Sequence, residues 1–195
     1  MLKKEIVWRE ILFSALEKGQ FEFQQKDLAE KFNFSLSTVF NALKAPRSAK
    51  ALQVSGRGFR LVSAEKMLYL WATERNLEKD IIYSTYFPGH PGEIEGSMPD
   101  KIIWGIFSAY NRKFGEAPSE YGKVYVYADE KKLEEIEKRF PKKRGPANVI
   151  VLRRDKYLDL YSSSGTLAQI FVDVWNTGEW YAGEFLDRLK IKMDL

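Results

Sequence analysis

Apolar residues recur at helical spacing in some stretches of the chain and at strand spacing in others, and the order of the two patterns is informative. Trp8, Ile11, Leu12 and Ala15 form a stripe ended by Gly19, which predicts a helix over 4–18. Phe21 and Phe23 alternate with polar neighbours as in a short strand. Leu28, Ala29 and Phe32 share one side of a helix over 25–32, and Asn33 suits a left-handed residue ending it. Ser35 is a good N-cap for a further helix running to about residue 44. There Leu36, Val39, Phe40 and Leu43 follow the i, i+3, i+4, i+7 pattern and are expected to face the core. Pro46 is expected to stop that helix. Extended runs at 51–54 and 59–62 flank Ser55-Gly56-Arg57-Gly58, a hairpin turn with glycines where positive φ is needed.

The remainder alternates between the two periods. Ser63 caps a helix over 64–76 that is expected to bury Met67, Leu68, Trp71 and Leu70, and residues 81–87 read as a strand. PGHPGEIEGSMP then reads as a long mobile loop, with His90 a turn residue. Pro99 is expected to open a helix with Ile103, Ile106, Phe107 and Tyr110 on one face and Gly115 after its end. A strand over 123–128, a helix over 130–140 capped by Asp129, the basic loop PKKRGP and an apolar strand over 148–152 follow. Residues 157–161 are expected as another strand, and Ser162-Ser163-Ser164-Gly165 leads into helices over 166–175 and 180–190. Strands alternating with helices imply a small α/β domain over 80–195.

Helix, turn, capped helix and glycine hairpin, in that order, match a winged helix-turn-helix, whose second helix enters the major groove of DNA. Its outer face carries Ser37, Thr38, Asn41 and Lys44, small or polar residues able to reach base edges, with Asn able to pair bidentately with adenine. Arg47 and Lys50 follow as phosphate ligands, with Arg57 at the hairpin tip and Arg60 on its return strand. Charge segregates accordingly. Residues 1–62 hold 11 Lys+Arg against 6 Asp+Glu, leaving 20 of the 31 and 21 of the 27 to the rest. The competing view is that the polar face simply meets water, or that the module binds protein; the latter predicts no salt-dependent DNA affinity.

At 195 residues and 45% hydrophobic content the chain can bury a sizeable core, as one domain or two. It has no cysteine and one histidine, which excludes disulfides, thiolate chemistry and a histidine-rich metal site. MLKKEIVWREILFSALEKG has charges spread through its apolar pattern, so neither a signal peptide nor a membrane span is expected and the cytoplasm is the default location. The sequence carries no phosphate-binding glycine loop ending in Lys-Ser/Thr, no GxGxxG after a strand, no GxSxG elbow and no HExxH. Ser162-Ser163-Ser164-Gly165 before a helix offers an anion site or, more simply, a cap and turn.

GTLAQIFVDVWNTGEWYAGEFLDRL, residues 165–189, resembles the closing signature of the AbiEi antitoxin family through Gln169, Asp173, Trp175, Gly178 and Glu184. KVYVYADEKKLEEIEKRF and NVIVLRRD are similar in arrangement to the strand, helix and strand preceding that signature. The family comprises transcriptional regulators of type IV toxin-antitoxin (abortive infection) systems. The resemblance implies repression of the protein's own operon through inverted repeats, and a C-terminal domain that neutralises the effect of a nucleotidyltransferase-fold toxin. An Asp-x-Asp/Glu pair like the toxin's is absent around Asp173, which has Val on either side. Gln169, Asp173 and Glu184 are expected to fix helix packing.

The expectation is therefore an α+β protein: a winged helix-turn-helix over 1–62, a connecting helix over 63–79 and an α/β regulatory domain over 80–195. It is expected to bind double-stranded operator DNA, with no cofactor, no metal and no enzymatic activity. The alternative is a nucleotide-handling enzyme tethered to nucleic acid by its winged helix.

Overall fold

The computed structural model describes residues 1–56 and 58–195, an α+β fold with one three-stranded and one four-stranded sheet. Helix α1 (Lys3–Lys18) ends in Gly19 at φ 68, a left-handed cap that costs glycine little. It is buried over much of its circumference, Glu5, Arg9 and Glu10 included, because other helices pack on several of its sides. Strand β1 (Glu22–Phe23), α2 (Gln25–Phe32), α3 (Leu36–Ala42), α4 (Lys44–Ser48), β2 (Leu52–Ser55) and β3 (Gly58–Leu61) follow. Asn33 adopts φ 49 between α2 and α3, and Ser35 Oγ accepts from Thr38 N at 3.1 Å. β3 lies between β1 and β2, antiparallel to both, with Phe23 opposite Phe59.

Pro46 does not stop the chain's helical course. It is buried in the first turn of α4, where a missing N–H removes no helical bond.

Helix α5 (Ala64–Glu74) is capped by Ser63 and buries Met67, Leu68 and Trp71. A 3-10 turn (Glu78–Asp80) leads to β4 (Ile81–Thr85), α6 (Pro91–Gly96), β5 (Ile103–Gly105), α7 (Ile106–Phe114), β6 (Val124–Ala128), α8 (Glu130–Arg139) and β7 (Val149–Arg153). A second 3-10 turn (Leu158–Leu160), α9 (Leu167–Trp175) and α10 (Ala182–Lys192) complete the order. The second sheet runs β4-β7-β6-β5, with β6 and β7 parallel and the outer pairs antiparallel.

The structure departs from the sequence pattern in three further places. The stretch read as an irregular loop forms α6: Pro91 presets its first turn, His90 Nδ1 accepts from Gly92 N at 3.2 Å, and Ile94 and Met98 are buried. Ile103 lies in a strand, not in the helix expected from Pro99. Residues 103–105 are paired with β6, and the helix starts only at Ile106, which takes φ 55. The strand expected over 157–161 is a 3-10 turn, since its tyrosines reach back to the first half of the chain: Tyr157 OH donates to Phe32 O and Tyr161 OH to Glu10.

Buried apolar side chains from Ile6 to Met193 form one contiguous core. Polar contacts cross it. Arg9 Nη1 and Nη2 donate to Asp155 at 2.7 and 2.8 Å, and Nη1 also to Gln169 Oε1 at 3.0 Å. Burial opposes the charge on Asp155, but the fork from Arg9 holds its carboxyl below the usual range. Arg75 of the α5–β4 connection pairs with Asp173 at 2.9 Å, and Tyr127 OH donates to the same carboxylate. Burial, then the Asp173 charge, push the Tyr127 hydroxyl well up. Trp71 Nε1 donates to Glu5 at 3.1 Å. No helix among the described residues is long and apolar enough to cross a membrane.

Candidate nucleic-acid interface

Helix α3 has seven residues, and its two sides differ. Val39 and Ala42, with Leu43 just after, are buried against α1 and α2. Trp8 Nε1 donates to Ala42 O at 2.7 Å, satisfying a carbonyl that the helix end leaves open. On the other side Leu36, Ser37, Phe40 and Asn41 are exposed. Ser37 and Asn41, at i and i+4, are thereby brought onto one face, and Lys44, the first residue of α4, is exposed just beyond its end.

Leu36 and Phe40, expected in the core, are 57% and 44% exposed. The reason is geometric. A helix this short buries one narrow stripe, and Val39, Ala42 and Leu43 also follow i, i+3, i+4. That competing stripe was visible in the sequence and is the one that packs. Phe40 is instead flanked by cations, with Lys44 Nζ 5.5 Å and Arg47 Cζ 5.3 Å from its ring centroid.

Thr38 is half-buried and, with Ser37, lies 2.9 Å from Ser35 Oγ. The three hydroxyls make a small cluster at the start of α3. Arg47 is half-buried in α4, and Lys50 is exposed at φ 58, where the chain turns toward β2. Arg60 is exposed on β3, facing Glu22 across the pair at 3.8 Å. An ion pair so exposed is weak and leaves Arg60 available to other anions. Arg57 lies outside the described residues. At Gly58 an added Cβ would stand 2.2 Å from Phe23 O, so the hairpin sits on β1 with no room for a side chain.

Chemically, the face offers hydroxyl, amide and ammonium groups that can hydrogen-bond base edges, and peripheral cations suited to phosphates. The basic loop 141–146 offers exposed Lys142 and Lys143 beside Tyr83 and Tyr86, although Lys142 Nζ already donates to Ser84 O on the edge strand β4. The serine-rich turn does not leave a helix end open. Thr166 Oγ1 accepts from Gln169 N, and the Glu17 carboxylate takes Leu167 N at 2.7 Å, so an internal anion occupies the N-terminus of α9. Gln169 and Asp173 belong to the buried contacts joining α9 to α1 and Arg75. Trp175 and Glu184 are exposed.

The fold and this face define an α+β protein with a short helix exposed on one side, basic residues following it, and a separate three-stranded sheet. No protein-family model, no curated protein and no solved structure matches the chain.

Proposed function

We propose that the protein is a sequence-specific regulator that binds double-stranded DNA through a winged helix-turn-helix formed by residues 1–62. The observation that carries this is the two-sidedness of α3: Val39 and Ala42 anchor it, while Ser37 and Asn41 share its exposed face and Lys44 is exposed just beyond its end. The antiparallel hairpin β2–β3 that follows α4, joined by β1, suits a wing. The excess of basic residues over 1–62 complements phosphate.

In this proposal Ser37, Asn41 and Lys44 read bases, with Thr38 supporting the start of the helix, and Arg47, Lys50, Arg57 and Arg60 hold the backbone. The resemblance of residues 165–189 to the AbiEi signature supports an antitoxin-type autorepressor that acts with a nucleotidyltransferase-fold toxin. The deciding experiment is fluorescence anisotropy with the duplex upstream of the coding region against a shuffled duplex, at two salt concentrations. The expected result is a preference of roughly a thousandfold or more that weakens with salt. Equal or absent binding overturns the proposal.

A further inference from the structure

Leu36 and Phe40 lie one helical turn apart on the exposed side of α3. Exposed large apolar residues on a short, otherwise polar helix face call for an occupant with apolar groups among polar ones. The surrounding charge restricts what that occupant is. Lys44 and Arg47 stand over the Phe40 ring, Lys50 is exposed a little further along the chain, and no acidic residue occurs between Glu30 and Glu65. A partner for this face is therefore polyanionic. In the major groove of DNA the one apolar group on a base edge is the thymine C5-methyl, next to an O4 acceptor.

We infer that Leu36 and Phe40 are specificity-determining residues that read thymine methyl groups, beside the hydrogen-bonding readout by Ser37, Asn41 and Lys44. This rests on the DNA-binding proposal above. It adds to it that discrimination has an apolar component, which hydrogen-bonding residues alone do not supply. Phe40 has a second task here. Its ring holds the Lys44 and Arg47 cations beside the groove-facing side, so base contact and phosphate contact are organised around one side chain.

The test uses the full chain and a duplex selected by it from a randomised library, compared with the same duplex in which every thymine is replaced by uracil. Uracil keeps the pairing and the O4 acceptor and lacks only the methyl. Wild-type protein is expected to lose about fourfold in affinity for each methyl contacted, the value for one buried methyl-sized group. Leu36→Ala and Phe40→Ala are expected to bind the thymine duplex more weakly and to bring the thymine-to-uracil ratio toward one. Both side chains are exposed, so unchanged melting temperatures of the variants would tie the loss to the interface. Specific binding that is indifferent to uracil overturns this inference and leaves the DNA-binding proposal standing. Failure to select any duplex overturns both. Self-association of the wild type that Phe40→Ala abolishes, with thymine and uracil bound equally, would assign the face to a second copy of the chain and overturn the inference too.

Discussion

Asn41 and Arg60 are both exposed polar residues, yet the proposed function asks different things of them. An amide that pairs with one base distinguishes sites; a guanidinium that meets phosphate does not. Asn41→Ala is expected to reduce discrimination between selected and random duplexes by about 1 to 3 kcal/mol. Arg60→Ala is expected to weaken both duplexes alike and to reduce the salt slope by about one. Competition titrations at several salt concentrations separate the two, and equal loss on both duplexes from Asn41→Ala would remove it from base readout. A different test concerns Asp155. Although burial works against its charge, Arg9 keeps its folded pKa below the unfolded value. Its ion pair therefore contributes stability above the unfolded value of about 3.9, and that contribution is lost as pH falls through the folded pKa. Asp155→Asn leaves Arg9 without its countercharge and is expected to cost about 3 to 5 kcal/mol at neutral pH. It is also expected to flatten the fall in urea midpoint below about pH 4. An unchanged acid limb would show that other carboxylates govern it.

Among the elements, the β1–β3 pair is the most sensitive to a single atom. Gly58→Ala sets a Cβ against a backbone oxygen of β1 rather than a flexible side chain, so the strands must part. A loss of about 1 to 3 kcal/mol is expected, read as a lowered melting temperature. Gly56→Ala meets open space and only the strain of φ 37, for which about 1 kcal/mol is expected; equal effects of the two would count against the close approach. The elements that were legible in the sequence are those whose signals agree with one another. In α2, periodicity, a polar outer face and Asn33 all point to the same ends, and in α8 Asp129 and an apolar Ile136 do so. Where two apolar stripes competed, as Leu36 and Phe40 did against Ala42 and Leu43, only the packing of α1 and α2 decided between them. The spacing of Ile103, Ile106, Phe107 and Tyr110 fits one helix, but the strand partner that claims Ile103 lies more than twenty positions away at Tyr127. Long-range pairing of that kind leaves no local trace. Of the proposed interface, the polar residues were readable because their chemistry is local; the exposure of Phe40 was not, because it depends on what fails to cover it.

At the scale of the molecule, one core runs from Ile6 to Met193 and buried ion pairs cross it. Thermal unfolding is therefore expected to be a single transition, with calorimetric and van't Hoff enthalpies equal. Two resolved transitions would mean that the halves melt independently. The consequence reaches further through α1. Trp8 fastens the end of α3, and its neighbour Arg9 fastens Asp155 and Gln169 of the second half. One peptide bond thus separates the grip on the proposed DNA-reading helix from the grip on α9. Were a ligand of the second half to alter DNA affinity through that joint, thermodynamic reciprocity would fix the return: whatever factor it imposed on DNA affinity, DNA would impose on the ligand.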